Sequence, residues 1–158
     1  MTDEFEISED DYFAIFFDRD LMTRMYREYH QYPEIDIKQD EDDARIRRTT
    51  VAIPKMDMPA AVAKLLGSNF RYTEEAVFDK KSKVMTFKTT PSMMADKVKN
   101  EGTVRIEVLG PNKIRRTVDV LLNVKVFGVG GMVESAFEKT IRDGWRKGTE
   151  FIKREKQR

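Results

Sequence analysis

Few residues of this chain are of types that do chemistry, and their spacing narrows what they can do. His30 is the only histidine and there is no cysteine. Thiolate metal sites, disulfides and a His–His metal pair are therefore excluded. No second base or nucleophile marks His30 as part of a catalytic relay. Glu134, Tyr72, Arg48 and Asp119 are acid/base candidates, but no spacing links them. Arg45, Arg47 and Arg48 can place a guanidinium inside the molecule or pair with acids on a neighbouring strand. Arg105, Arg115 and Arg116 read as surface pairs. The run Phe127-Gly128-Val129-Gly130-Gly131 follows a strand and opens a helix. It lacks the glycine spacing of a dinucleotide loop. The sequence thus predicts no catalytic residue, no metal and no cofactor: a protein that is not an enzyme.

Apolar residues carry the stronger signal. The chain holds nine Met and ten Phe, and five of the methionines lie in or beside loops: Met56, Met58, Met93, Met94 and Met132. Methionine suits adaptable apolar surfaces. Such loops either cap the open end of a sheet or form the mouth of a cavity for a hydrophobic ligand. The candidate ligand-binding residues are Met56, Met58, Leu65, Tyr72, Met93 and Met94, with Phe127 at the start of the last connection. The last helix adds Val133, Phe137, Ile141, Gly144, Trp145 and Gly148.

That helix, from Gly131 to about Lys156, positions the second group. Val133, Phe137, Ile141, Gly144, Trp145, Gly148, Phe151 and Ile152 recur at spacings of three and four and fall within roughly 120° of arc. Its length is about 40 Å at 1.5 Å per residue. Gly144 and Gly148 each cost up to about 1 kcal/mol against Ala in a helix interior. They make room for either a closely packed sheet or a ligand. Glu134, at the edge of the stripe, is either a polar anchor for a ligand or an acceptor for the glycine-rich turn. The basic end, Lys153, Arg154, Lys156 and Arg158, is a frayed solvated terminus or a contact for an anionic membrane.

The rest reads mostly as strands. Glu4–Ile7 is a first strand. Ser8 followed by Glu9, Asp10 and Asp11 signals a helix start, and Asp18 caps a second short helix. Strands follow near Ile35–Ile37, Ala44–Ile53, Phe70–Phe78, Val84–Thr89, Gly102–Leu109 and Ile114–Phe127. Neither face of Ala44–Ile53 is clean, so its inward side stays open. Pro54–Gly67 interrupts the strands with a short amphipathic helix from Ala60. The order predicts an α+β fold, residues 1–158 as one domain: a curved antiparallel sheet of six to seven strands gripping a long C-terminal helix, with two short helices after strand one.

This order resembles the START-like superfamily, the helix-grip or Bet v 1-like fold, over the whole chain. Val129-Gly130-Gly131-Met132-Val133-Glu134 is similar to the turn opening the last helix in an uncharacterised bacterial START-like branch. The VASt sterol-transfer branch has a similar turn, and an arginine-rich strand followed by a long apolar loop. Arg45, Arg47 and Arg48 followed by Pro54–Gly67 correspond to that here. The resemblance implies a hydrophobic cavity between sheet and long helix.

Composition agrees. Hydrophobic residues are 40%, charged residues 36%, and the net charge is +1, so nucleic acid is not an expected partner. The acidic start has no apolar segment and no run of about 18 apolar residues occurs, so the expected location is the cytoplasm. The expected function is binding, and in a fuller form transfer, of a lipid-like ligand such as a sterol or fatty acyl lipid, with the apolar loops free to touch a membrane. The alternatives are a cyclase/aromatase-type enzyme of the same fold and a protein-interaction module docking through the loops. Oligomeric state is not indicated.

Overall fold

A computed structural model describes residues 1–158. Its sheet contains β1 (Thr2–Phe5), β2 (Glu34–Glu41), β3 (Arg45–Ile53), β4 (Tyr72–Asp79), β5 (Val84–Pro91), β6 (Val98–Gly110) and β7 (Lys113–Val124). The helices are α1 (Glu9–Phe16), α2 (Arg19–Arg24), α3 (Ala60–Leu66) and α4 (Gly130–Glu155). The strand order is β1-β7-β6-β5-β4-β3-β2, and every pairing is antiparallel. This is the helix-grip arrangement, an α+β fold with seven strands.

Local chemistry accounts for the elements. Ser8 Oγ accepts the Asp11 amide at 3.1 Å. Asp18 Oδ1 accepts the amides of Asp20 and Leu21 at 2.9 and 2.8 Å. Each side chain satisfies amide donors that a helix start leaves free. Strand one lies at Thr2–Phe5, two residues earlier than the alternation suggests, because it pairs with β7 from Thr2↔Thr117 to Phe5↔Ile114. The last strand stops at Val124, and β6 begins at Val98, earlier than Gly102.

The α2 helix does not end but widens. Met25–Tyr29 forms a π turn, and the His30 amide donates to the Met25 carbonyl at 3.2 Å. Wide turns of this kind are rare and concentrate at functional sites. Gly102 answers a close approach. A Cβ there would sit 2.1 Å from the Asp119 carbonyl and 2.7 Å from Phe87 Cζ. Only glycine lets β5, β6 and β7 pass at this point.

The buried apolar residues divide into two clusters. One gathers Phe5, Tyr12, Met22, Phe78, Ile114 and Phe151 around α1, α2 and the sheet. The other gathers Val62, Leu66, Phe70, Val98, Val133 and Phe137 around α3 and the start of α4. No helix is long and apolar enough to cross a membrane.

Candidate ligand cavity

Between α4, the π turn and the inner face of the sheet lies a cavity of about 160 Å³. It has room for on the order of ten water-sized positions. Of the 27 residues lining it, 16 are hydrophobic, so its wall is apolar with a polar minority. Both clusters contribute: Met25, Phe87 and Ile152 from the first, Phe70, Val98 and Phe137 from the second.

Seven of the thirteen residues singled out from the sequence come together here: Met56, Tyr72, Phe137, Ile141, Gly144, Trp145 and Gly148. The other six do not line it. Met58 and Met94 pack against the second cluster, and Val133 is buried within it. Leu65, Met93 and Phe127 are exposed, Phe127 completely.

The two glycines of α4 do not face a crowded sheet. A Cβ on Gly144 would meet His30 Nε2 at 3.6 Å, and one on Gly148 would meet Met25 Sδ at 3.6 Å. These are ordinary contacts, made with the π turn. The glycines hold open a space that Ala would narrow without a clash.

The polar minority was mostly unmarked in the sequence. On β4, Tyr72, Glu74 and Ala76 point the same way, so Glu74 puts a carboxylate on an inward face. It lines the cavity, and Thr89 Oγ1 donates to its Oε2 at 3.4 Å. Burial pushes the Glu74 carboxyl pKa up, against the opposing pulls of Arg48 and Thr89. Around it stand Tyr26, Tyr32 and Tyr72. The rings of Tyr26 and Tyr32 lie 5.5 Å apart and those of Tyr32 and Tyr72 6.4 Å apart. Burial raises all three phenols, Tyr32 to about 12.

Arg48 settles the open question of β3. Ile46, Arg48, Thr50 and Ala52 face inward. The guanidinium donates to Gln39 Oε1 at 3.2 Å and to the Phe16 carbonyl at 2.6 Å. It lies 5.0 and 5.2 Å from the ring centres of Phe16 and Phe17, a stacking that arginine makes well. Arg47, on the other face, pairs with Asp40 and Asp42.

Arg116 is not a surface group as its neighbours suggest. It is 1% exposed, donates to Asp3 and Thr149 at 2.8 and 2.6 Å, and stands 4.9 Å from the Trp145 ring. Arg105 and Arg115 do make exposed pairs, with Asp119 and with Glu4 and Glu107. Asp119 therefore lies outside the cavity. Glu134 accepts the Val124 amide at 3.2 Å, bracing the end of β7 against α4.

His30 is buried where the π turn meets α4. Its Nδ1 lies 3.2 Å from the Met25 carbonyl oxygen and its Nε2 3.1 Å from that of Gly144. Burial lowers its pKa, and the two carbonyls oppose that shift. No cluster of His, Cys, Asp or Glu is arranged to hold a metal ion.

A comparison with functionally curated proteins gives no sequence match. Solved structures match the fold over nearly the whole chain. A START superfamily protein from Mycobacterium smegmatis superposes with a TM-score of 0.58 at 16% identity, covering 98% of this chain and 95% of its own. The Zhui aromatase/cyclase from Streptomyces sp. R1128 gives 0.64 at 11% identity, covering 100% and 92%. Norcoclaurine synthase from Thalictrum flavum gives 0.62 at 14%, covering 98% and 82%. The fold is START-like, and since residues 1–154 match the sequence profile of DUF2505, described as a protein of unknown function, the chain belongs to that family.

Proposed function

We propose that the chain binds a lipid-like small molecule, a sterol or fatty acyl lipid, between the sheet and α4, and hands it on between surfaces in the cytoplasm. One observation carries this reading: a cavity with a mainly apolar wall separates the two core clusters. A fold that did not need the space would close it, since buried voids cost stability. Norcoclaurine synthase, of the same fold, is solved in complex with dopamine and hydroxybenzaldehyde, which lends support to a small-molecule site in this one.

The loops Met56–Leu66, Pro91–Val98 and Phe127–Met132 form the entrance in this reading. Leu65, Met93, Phe127 and Met132 are exposed there, beside Leu66, Met94, Val129 and Val133, which pack into one cluster. Exposed Lys64, Lys97 and Lys125 accompany them, and the Lys125 amide donates to the Lys97 carbonyl at 2.8 Å. Apolar tips among lysines suit an anionic bilayer surface.

The direct test is solvent extraction of the purified protein followed by mass spectrometry, with fluorescent sterol and fatty acyl probes added to stripped protein. Recovery of a stoichiometric lipid, or saturable probe binding, supports the proposal. Absence of both sinks it.

A second reading, a cyclase- or aromatase-type enzyme, is favoured by the carboxylate of Glu74 inside the cavity. A buried carboxyl with a raised pKa suits proton transfer. Loss of turnover of a cyclase- or aromatase-type substrate on E74Q, with binding retained, would support this reading over carriage.

A further inference from the structure

Glu74, Thr89 and Asn100 sit on three successive strands, β4, β5 and β6, and all three line the cavity. Glu74 is paired directly with Thr89 in the ladder. Each of the three brings an acceptor oxygen to the wall. The one side-chain hydrogen bond reaching the Glu74 carboxylate is the long one from Thr89, 3.4 Å. Asn100 Oδ1 is buried with no partner at all. Of the two arginines of the cavity wall, Arg48 donates to Gln39 and Phe16 and Arg116 to Asp3 and Thr149, with Arg116 Nε left unpartnered, and neither donates to Glu74 or Asn100.

A buried acceptor left without a donor costs about 1–3 kcal/mol, and more when charged. A protein keeps such a group where something else completes it. Tyr26, Tyr32 and Tyr72 line the cavity with it, their rings 5.5 and 6.4 Å apart in turn, and aromatic rings in such a wall suit a cation or a CH-rich group.

We infer that Glu74, Thr89 and Asn100 form the head-group subsite of this cavity, and that it takes a hydrogen-bond donor: the hydroxyl or protonated amine of an otherwise apolar molecule. The inference rests on the reading that the cavity binds a lipid-like ligand, and adds its polarity and orientation. The donor end lies at β4–β6, and the apolar body extends along α4 past Phe137, Ile141 and Trp145. A ligand with a free carboxylate or an ester at its head supplies no donor and binds less well.

Trp145 lines the cavity and is the only tryptophan, so its fluorescence reports occupancy. The experiment titrates the full chain with decan-1-ol, decylamine, decanoate and methyl decanoate at pH 7.5. Donor heads are expected to bind up to about tenfold more tightly than the other two, the size of one hydrogen bond. The variants distinguish the two donors. E74Q keeps a carbonyl acceptor and removes the charge, so it weakens the amine about tenfold if the charge selects it, and leaves the alcohol nearly unchanged. E74L removes the acceptor and abolishes the preference for either donor. Equal binding of methyl decanoate and decanol overturns the subsite, as does an unchanged order of affinities in E74Q and E74L. If no probe, the ester included, alters the fluorescence or is retained on dialysis, the cavity reading itself fails.

Discussion

His30 Nε2 lies 3.1 Å from the carbonyl oxygen of Gly144, linking the π turn to the middle of α4 across the wall of the cavity. The other ring nitrogen faces the Met25 carbonyl. A neutral imidazole donates to only one of them. Protonation would serve both, but burial opposes it and dominates. The native pKa is therefore below the unfolded value of about 6.5. Above that value the group is neutral in both states and adds no pH dependence. As pH falls through it, the unfolded chain takes up a proton that the native state resists, and stability is lost. Thermal unfolding at stepped pH should show the wild type losing more Tm between about pH 7 and pH 5 than H30Q.

Glu74 works in the opposite direction. Its native pKa is raised, so its favourable contribution is present below the unfolded value and is lost as pH rises through the native one. Once ionised in the empty protein, the Glu74 carboxylate is destabilising, because burial disfavours its charged form. E74Q should raise Tm at pH 7.5 by about 2–4 °C, the shift that about 1 kcal/mol gives at this chain length. At pH 4 the gain should vanish. A Tm difference independent of pH would contradict this account.

The glycines separate space from contact. G144A and G148A introduce a methyl at ordinary distances and add helix propensity, about 1 kcal/mol each at most. Both should stabilise the empty protein or leave it unchanged in denaturant titrations, while weakening lipid probes by narrowing the cavity. G102A should do the reverse. Its methyl would overlap the Asp119 carbonyl, and a loss of about 2–4 kcal/mol or failure to fold is expected.

Phe127 is fully exposed in the turn before α4. Co-sedimentation with vesicles containing phosphatidylserine should fall several-fold in F127S, and should fall with added salt through Lys64, Lys97 and Lys125. Equal binding of the wild type and F127S would remove the membrane from the proposal.

Where signals are local, the sequence was readable. Ser8 and Asp18 mark helix starts by their own hydrogen bonds, and the stripe of α4 follows from its period. Tyr72, Phe137, Ile141 and Trp145 reach the cavity because alternation and helical spacing put them on inward faces. What escaped depended on distant partners. His30 gains meaning only from the Gly144 carbonyl, 114 residues away. Arg48 is buried because Phe16 and Phe17 come to lie against it, which no pattern within β3 announces. Glu74 carried a usable sign: it stands two residues from Tyr72 and two from Ala76, so it shares their face. Met58, Met94 and Val133 are as apolar as the residues that line the cavity, and composition does not tell a wall from the packing behind it.

The pairing of β1 with β7 joins the two ends of the sheet's history. The Met1 amino group donates to the Val118 carbonyl at 2.7 Å, across 117 residues of chain. Contacts so remote form late and slowly, because a long loop must close first. On the ribosome, β1 waits unpaired until β7 has been made, and α4 follows later still. The chamber is therefore the last thing the chain builds.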